Sequence, residues 1–230
     1  MTTIKDAAAL VTGGQRGLGR AIVDELLAAG AARVYATARH PVASADPRIE
    51  PVALEVTDQQ SVDDLARRAG DVTIVINNAG ALLGGPLLGS DIAEVASLFD
   101  VNVFGPLRVA QAFAPVLRAN GGGALVDVHS VLSWAAGAGA YGATKAALWS
   151  VTNSLRLELA AQGTLVVGAH LGYTDTDMVK ALDVPKNDPR DVARQIVAAV
   201  QKNEPEVLAD QPSQYFKSAL AGPVEGLAVR

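Results

Sequence analysis

Ala7-Ala8-Ala9-Leu10-Val11-Thr12-Gly13-Gly14-Gln15-Arg16-Gly17-Leu18-Gly19 decides the fold. Residues 7–12 are an apolar run, the glycines follow, and Ile22/Leu26 with Val23/Leu27 then repeat at helical spacing as far as Gly30. The pattern reads as strand, glycine turn, helix. Glycines here let the chain turn tightly and bring backbone N–H groups and a helix N-terminus against a phosphate. The spacing is Thr-Gly-x-x-x-Gly-x-Gly, not Gly-x-Gly-x-x-Gly, and on its own it equally describes a turn that binds nothing.

The same alternation continues outward. Strands are expected at 33–37, 50–56, 72–76, 124–128, 165–170 and 206–209, those at 50–56, 72–76, 124–128 and 165–170 leading toward a helix-prone stretch. The run at 72–76 is almost wholly β-branched, as in a parallel strand buried on both faces. Thr57-Asp58-Gln59-Gln60 resembles a capping box, and Asp188 followed by Pro189 marks another helix start. Between Asp91 and Ala119 the apolar spacing is helical, but Gly105-Pro106 predicts a kink or break near 100–104, where Asn102 lies. Strands alternating with helices give an α/β fold, a doubly wound, mostly parallel, seven-stranded sheet with helices on both faces. The 230 residues contain no linker-like segment, so one domain spanning 1–230 is expected.

Composition narrows the function. Half the residues are hydrophobic, 19% are charged and the net charge is −5 with Lys and Arg scattered, which argues against nucleic acid or acidic membrane as partner. There is no cysteine, and His40, His129 and His170 lack metal-ligand spacing. Without a signal-like or membrane-spanning stretch, a cytoplasmic location is the expectation.

Tyr141-Gly-Ala-Thr-Lys145 opens the longest helix-prone run. Residues four apart share a helix face, so phenol and ammonium can share a pocket, and a cation about 4 Å away shifts a phenol by roughly three pKa units at an effective dielectric of 20. A tyrosine tuned in this way exchanges a proton with a carbonyl or alcohol oxygen. Where a dinucleotide fold usually places an acid for the ribose hydroxyl, this chain has Arg39, and Arg16 lies within the glycine turn. Two guanidiniums there read as a site for a 2′-phosphate, hence NADP(H).

Taken in order, Thr12-Gly13-x-x-x-Gly17-x-Gly19, Asn77-Asn78-Ala79-Gly80, Asn102, Ser130 and Tyr141-x-x-x-Lys145 resemble the short-chain dehydrogenase/reductase superfamily in its shorter, single-domain form. The resemblance implies Tyr141 as general acid/base, Ser130 as holder of the substrate oxygen, Lys145 as the cation that lowers the tyrosine pKa and binds the nicotinamide ribose, and Asn102 as holder of a water. It also implies that Gly13, Gln15, Arg16, Gly17 and Leu18 border the pyrophosphate and adenosine, Asn78, Ala79 and Gly80 the adenine-side ribose, and Gly172, Thr174 and Thr176 the carboxamide and phosphate. Pairing through the long helices, as homodimer or homotetramer, follows from the same resemblance.

Three departures stand out. Glu55 before Val56 replaces the usual Asp at the adenine, Leu171-Gly172 replaces Pro-Gly, and Ser130 lies eleven residues before Tyr141 where thirteen is usual. The expected activity is NADPH-dependent reduction of a small-to-medium apolar ketone or aldehyde, or oxidation of a secondary alcohol. Leu82, Leu83, Leu132, Trp134, Tyr173, Met178 and Leu182 are the expected pocket lining. A non-catalytic NADP(H) sensor or scaffold and a dehydratase or epimerase on the same fold are the alternatives.

Overall fold

The computed structural model describes residues 3–228. The opening stretch folds as its glycines require: β1 (Ala8–Val11) feeds the turn and α1 (Gly17–Ala28) leaves it. Then follow β2 (Arg33–Ala38), β3 (Ile49–Ala53), α2 (Gln59–Arg68) and β4 (Val72–Asn77). The second half carries α3 (Ile92–Phe99), α4 (Gly105–Ala119), β5 (Ala124–Val128), α5 (Gly139–Glu158), β6 (Leu165–His170), α6 (Pro189–Lys202), β7 (Glu206–Leu208) and α7 (Gln211–Ala219). All seven strands are parallel, in the order β3-β2-β1-β4-β5-β6-β7.

Strand order reverses between β1 and β4, which is where an open α/β sheet leaves a crevice at its carboxyl edge. The glycine turn and Asn77-Asn78-Ala79-Gly80 leave the sheet there, and Ser130 follows β5 on the same edge. Each face of the sheet buries a separate apolar layer. Ala9, Val11, Ile74, Ile76, Val126 and Val167 pack on α1 and α6. Leu10, Val75, Leu125 and Val166 pack on the other side against Phe113 and Leu117 of α4 and Leu155 of α5. Truncating a fully buried ring such as Phe113 costs about 3–5 kcal/mol, so the layers fix the strand ends with little latitude.

Two local expectations are corrected. The third strand stops at Ala53, and α2 is capped by Asp58, whose carboxylate accepts from the Gln60 N–H. Thr57 instead donates to Glu55, so its hydroxyl is already engaged. The disturbance expected near 100–104 is a five-residue π-helical segment, Asp100–Phe104, joining α3 to α4. Its Gly105 N–H reaches back to Asp100 O, and Pro106, lacking an N–H, sits where α4 needs no donor. The C-terminal residues pack on the body: Lys217 Nζ lies 2.6 Å from Glu206 Oε1, and the Ala136 N–H donates to Leu227 O at 2.6 Å.

Candidate active site

The glycine turn is shaped by close approach. A Cβ on Gly19 would stand 2.1 Å from Gly13 O and 2.5 Å from Asn78 Nδ2, and Gly17 has φ +51° with Thr176 Cγ2 3.1 Å from its missing Cβ. Asn78 ties the turn down, its amide donating to Thr12 O at 2.9 Å, while Thr12 Oγ1 accepts from the backbone N–H groups of Asn78 and Ala79 at 2.9 and 3.0 Å. No side chain caps α1, and its first turn carries no acid. An uncapped N-terminus beside a glycine turn is a ready anion site, so the turn fits a dinucleotide pyrophosphate.

Tyr141 lies in the first turn of α5 and Lys145 one turn on. The Lys145 ammonium is 5.8 Å from the centre of the Tyr141 ring and donates to Val128 O at 2.8 Å. The Ser130 hydroxyl faces the phenol and accepts from the Leu132 N–H at 3.1 Å. Burial pushes the Tyr141 phenol up to about 12, and the Ser130 bond offsets only part of that. Burial also lowers Lys145 to about 8, with Asp127 opposing. The expectation of a phenol lowered by its lysine is therefore corrected: desolvation outweighs a cation that points past the ring to the strand.

Asn102, on the π segment, is wholly buried. It accepts from the Ala81 N–H at 2.8 Å and donates to Ala81 O and Thr144 Oγ1, both at 3.0 Å. Its side chain thus braces the Gly80-Ala81 backbone against α5. Gly80 leaves room for both groups, since a Cβ there would meet Asn102 Oδ1 at 3.3 Å and Lys145 Nζ at 3.9 Å.

The remaining expected residues divide between the site and its surroundings. Arg16 and Arg39 are exposed, with Arg16 4.0 Å from Asp177. Gln15 turns to the loop after β2, its amide pairing with both N–H and C=O of Val42 at 2.8 and 2.9 Å. Glu55 accepts from the Thr57 N–H and hydroxyl, and the neighbouring Val56 carbonyl accepts from Arg108 Nη1 at 3.5 Å. Thr176 packs on the glycine turn, Thr174 is buried with its hydroxyl toward Gly172 O, and Leu18 is buried in the core. Tyr173, Met178 and Leu182 are exposed and Leu132 is partly buried two residues after Ser130. Trp134 does not line a pocket: it is 5% exposed and stacks on His170 with ring centres 4.0 Å apart. Leu82 and Leu83 face a cleft against Ala93, Glu94, Ser97 and Leu98 of α3.

Residues 7–187 match the family model for short chain dehydrogenases. The chain belongs to the short-chain dehydrogenase/reductase family. An uncharacterized oxidoreductase of Staphylococcus aureus strain N315 is 34% identical over 215 residues, covering 87% of this chain and 93% of the relative. The crystal structure of a short chain dehydrogenase from Burkholderia cenocepacia in complex with NADP superposes with a TM-score of 0.91 at 34% identity, over 99% of this chain and 97% of that one. A family member from Burkholderia phymatum in complex with NAD, 21% identical, shares the fold with a TM-score of 0.84 over 96% of both chains. As a family member the chain is an oxidoreductase using a nicotinamide cofactor, and no helix among the described residues is long and apolar enough to cross a membrane.

Several residues that build the site carry no motif. Thr144 completes the Asn102 brace, and Asp210, after β7, accepts from Gly172 N at 2.6 Å and Asn187 Nδ2 at 2.5 Å. Asp127 lies buried behind Lys145. Only the Asp188-type pattern of an acid before a proline-bearing helix turn, repeated at Asp210-Gln211-Pro212, signals one of them in the sequence.

Proposed function

We propose that this short-chain dehydrogenase is an NADPH-dependent carbonyl reductase or alcohol dehydrogenase acting on a small-to-medium apolar ketone, aldehyde or secondary alcohol. The observation that carries the reading is the convergence of the Ser130 hydroxyl, the Tyr141 phenol and the Lys145 ammonium beside the glycine turn. The nicotinamide, when bound, supplies or receives the hydride. The chain's own part is position and proton delivery. Ser130 donates to the substrate oxygen and holds it against Tyr141, and the phenol hands that oxygen its proton in reduction or takes it in oxidation. A phenol near 12 remains a far stronger acid than an aliphatic alcohol, so it still protonates an alkoxide. Lys145 stabilises the phenolate left behind and binds the nicotinamide ribose, with Asn102 fixing the backbone beside it.

NADPH is favoured over NADH by Arg16 and Arg39 together with the absence of an acid at the end of β2. The NADP complex of the more similar Burkholderia neighbour supports this, against the NAD complex of the more distant one. The exposed Phe104 and Leu157, in the segments leading through α4 and α5, support pairing of two copies, which a mass measurement in solution tests. The experiment for the activity is a screen of apolar ketones and aldehydes for NADPH oxidation by the purified protein. Turnover of an apolar carbonyl supports the reading; tight NADPH binding with no turnover across the series favours a cofactor-binding sensor instead.

A further inference from the structure

Behind the proposed site, near the Lys145 ammonium, lies a buried carboxyl that the mechanism above does not use. Lys145 is 5% exposed, and the one acceptor among the described residues is Val128 O. An ammonium held inside a protein is costly unless a charge of opposite sign is near. The residue before Val128 on β5 is Asp127, 1% exposed. Its carboxylate accepts from Asn77 Nδ2 at 2.9 Å and from Thr152 Oγ1 at 2.6 Å. Thr152 lies two turns beyond Lys145 on α5, and Lys145, Leu148 and Thr152 are all buried, so one helix face covers both ammonium and carboxylate against one strand.

The other ionisable groups around the pair do not replace Asp127. Tyr141 and Arg156 share α5, His129 is on β5 and His170 on β6, while Asp100 of the π segment is paired with Arg108 at 2.8 Å. Burial keeps His129 and His170 well toward the neutral form. The Thr152 hydroxyl has a single proton and two acceptors within reach, Asp127 at 2.6 Å and Leu148 O at 2.9 Å, with His129 Nε2 3.1 Å away. Burial raises the Asp127 carboxyl, and the hydrogen bonds from Thr152 and Asn77, together with the Lys145 charge, oppose that shift.

We propose that Asp127 is the buried counter-charge of Lys145, a positioning residue that touches neither substrate nor cofactor and holds Lys145 in its cationic, working form. The inference rests on the proposed roles of Tyr141 and Lys145. Charges within about 10 Å at an effective dielectric of about 20 shift one another by about one pKa unit, and Lys145, already lowered to about 8 by burial, falls into the working range without its partner.

The test is the pH profile of kcat/KM for carbonyl reduction with saturating NADPH. In the wild type the rate should fall as pH rises through about 8, where Lys145 loses its proton. In Asp127→Asn, which keeps shape and removes charge, the fall should move about one unit lower, while kcat at pH 6 and NADPH affinity at pH 6 stay within about twofold. Thr152→Val, which removes one donor to the carboxylate, should move it the same way by less, and it answers the question if the Asp127 variant does not fold. An unmoved limb in either folded variant, or a uniform loss at every pH, overturns the proposal. Lys145→Met separates the two levels: if it keeps full activity, the lysine role itself fails, whereas a lysine-dependent limb indifferent to Asp127 and Thr152 sinks only the counter-charge.

Discussion

The Ser130 hydroxyl faces the Tyr141 phenol and draws its pKa down although it lies only eleven residues before it. The short connection is absorbed after the serine. Residues 131–133 form a single 3-10 turn capped by Ser130, and Trp134 turns inward onto His170. Gly139 takes φ +60° with Gly85 O 2.5 Å from where a Cβ would stand, so α5 begins in a path open to glycine alone. Ser133, the next serine in the chain, is 7% exposed and its hydroxyl has no hydrogen-bond partner among the described residues. Ser130→Ala should therefore lower kcat for carbonyl reduction by about 10² or more, as when one donor to a reacting oxygen is lost. Ser133→Ala should leave kcat within about twofold. The reverse ranking in steady-state kinetics would move the substrate oxygen to Ser133.

Tyr141→Phe removes one oxygen from a ring whose packing on α5 it leaves in place. NADPH binding, followed by fluorescence, should persist within about threefold, while reduction falls by about 10² or more, the usual contribution of a positioned acid. Because burial holds the phenol near 12, its own ionisation should not appear in the profile of the free protein below about pH 10. Retention of most activity would assign protonation to water.

Much of this arrangement is legible in the sequence because it rests on local chemistry. The glycine turn, the β-branched run of β4, a disturbance before Pro106 and the α5 register of Tyr141 over Lys145 each follow from residue type and spacing. What is not legible depends on how much water remains around a group. The lysine that should lower the phenol instead bonds Val128 O, and only the depth of the site shows that burial prevails. Trp134 reads as pocket lining because it follows a strand end; its burial against His170 and Lys217 is set by α7, more than 75 residues later in the chain. Asp127 in a strand of apolar residues carries no signal until Thr152 and Asn77 are brought to it.

Cofactor choice rests on two exposed arginines. In the wild type NADPH should be preferred over NADH by at least about tenfold in kcat/KM, which charge-assisted contacts to one phosphate readily supply. Arg39→Asp places an acid where a ribose hydroxyl would be met and should shift the balance toward NADH by a further factor of about ten or more. Equal use of both cofactors by the wild type, in parallel assays at one ionic strength, would remove the 2′-phosphate reading.

Asp210 joins the loop after β6 to the C-terminal helix. Its carboxylate accepts from Gly172 N, Asn187 Nδ2, Ser213 N and Ser213 Oγ, and it caps α7. A Cβ on Gly172 would meet Asp210 Oδ2 at 3.0 Å, so that glycine admits the contact. Partial burial raises the carboxyl, but the hydrogen bonds from Ser213 and Gly172 outweigh it and leave its pKa below the ordinary carboxylate value. A carboxyl lowered in the folded state contributes stability that is present above its unfolded pKa and lost as pH falls through the folded value. Asp210→Asn keeps two acceptor lone pairs but sets an NH₂ against N–H donors, at a cost of about 2 kcal/mol. For a chain of this size that is about 4–8 °C in Tm at pH 7. The difference between variant and wild type should shrink below about pH 3.8, where the wild-type carboxyl begins to take up its proton. Since Gly172 leads into Thr174 and Thr176, the variant should also raise the KM for NADPH more than it lowers kcat. A Tm equal to wild type at pH 7, with unchanged KM, would show that the loop after β6 is held by other contacts.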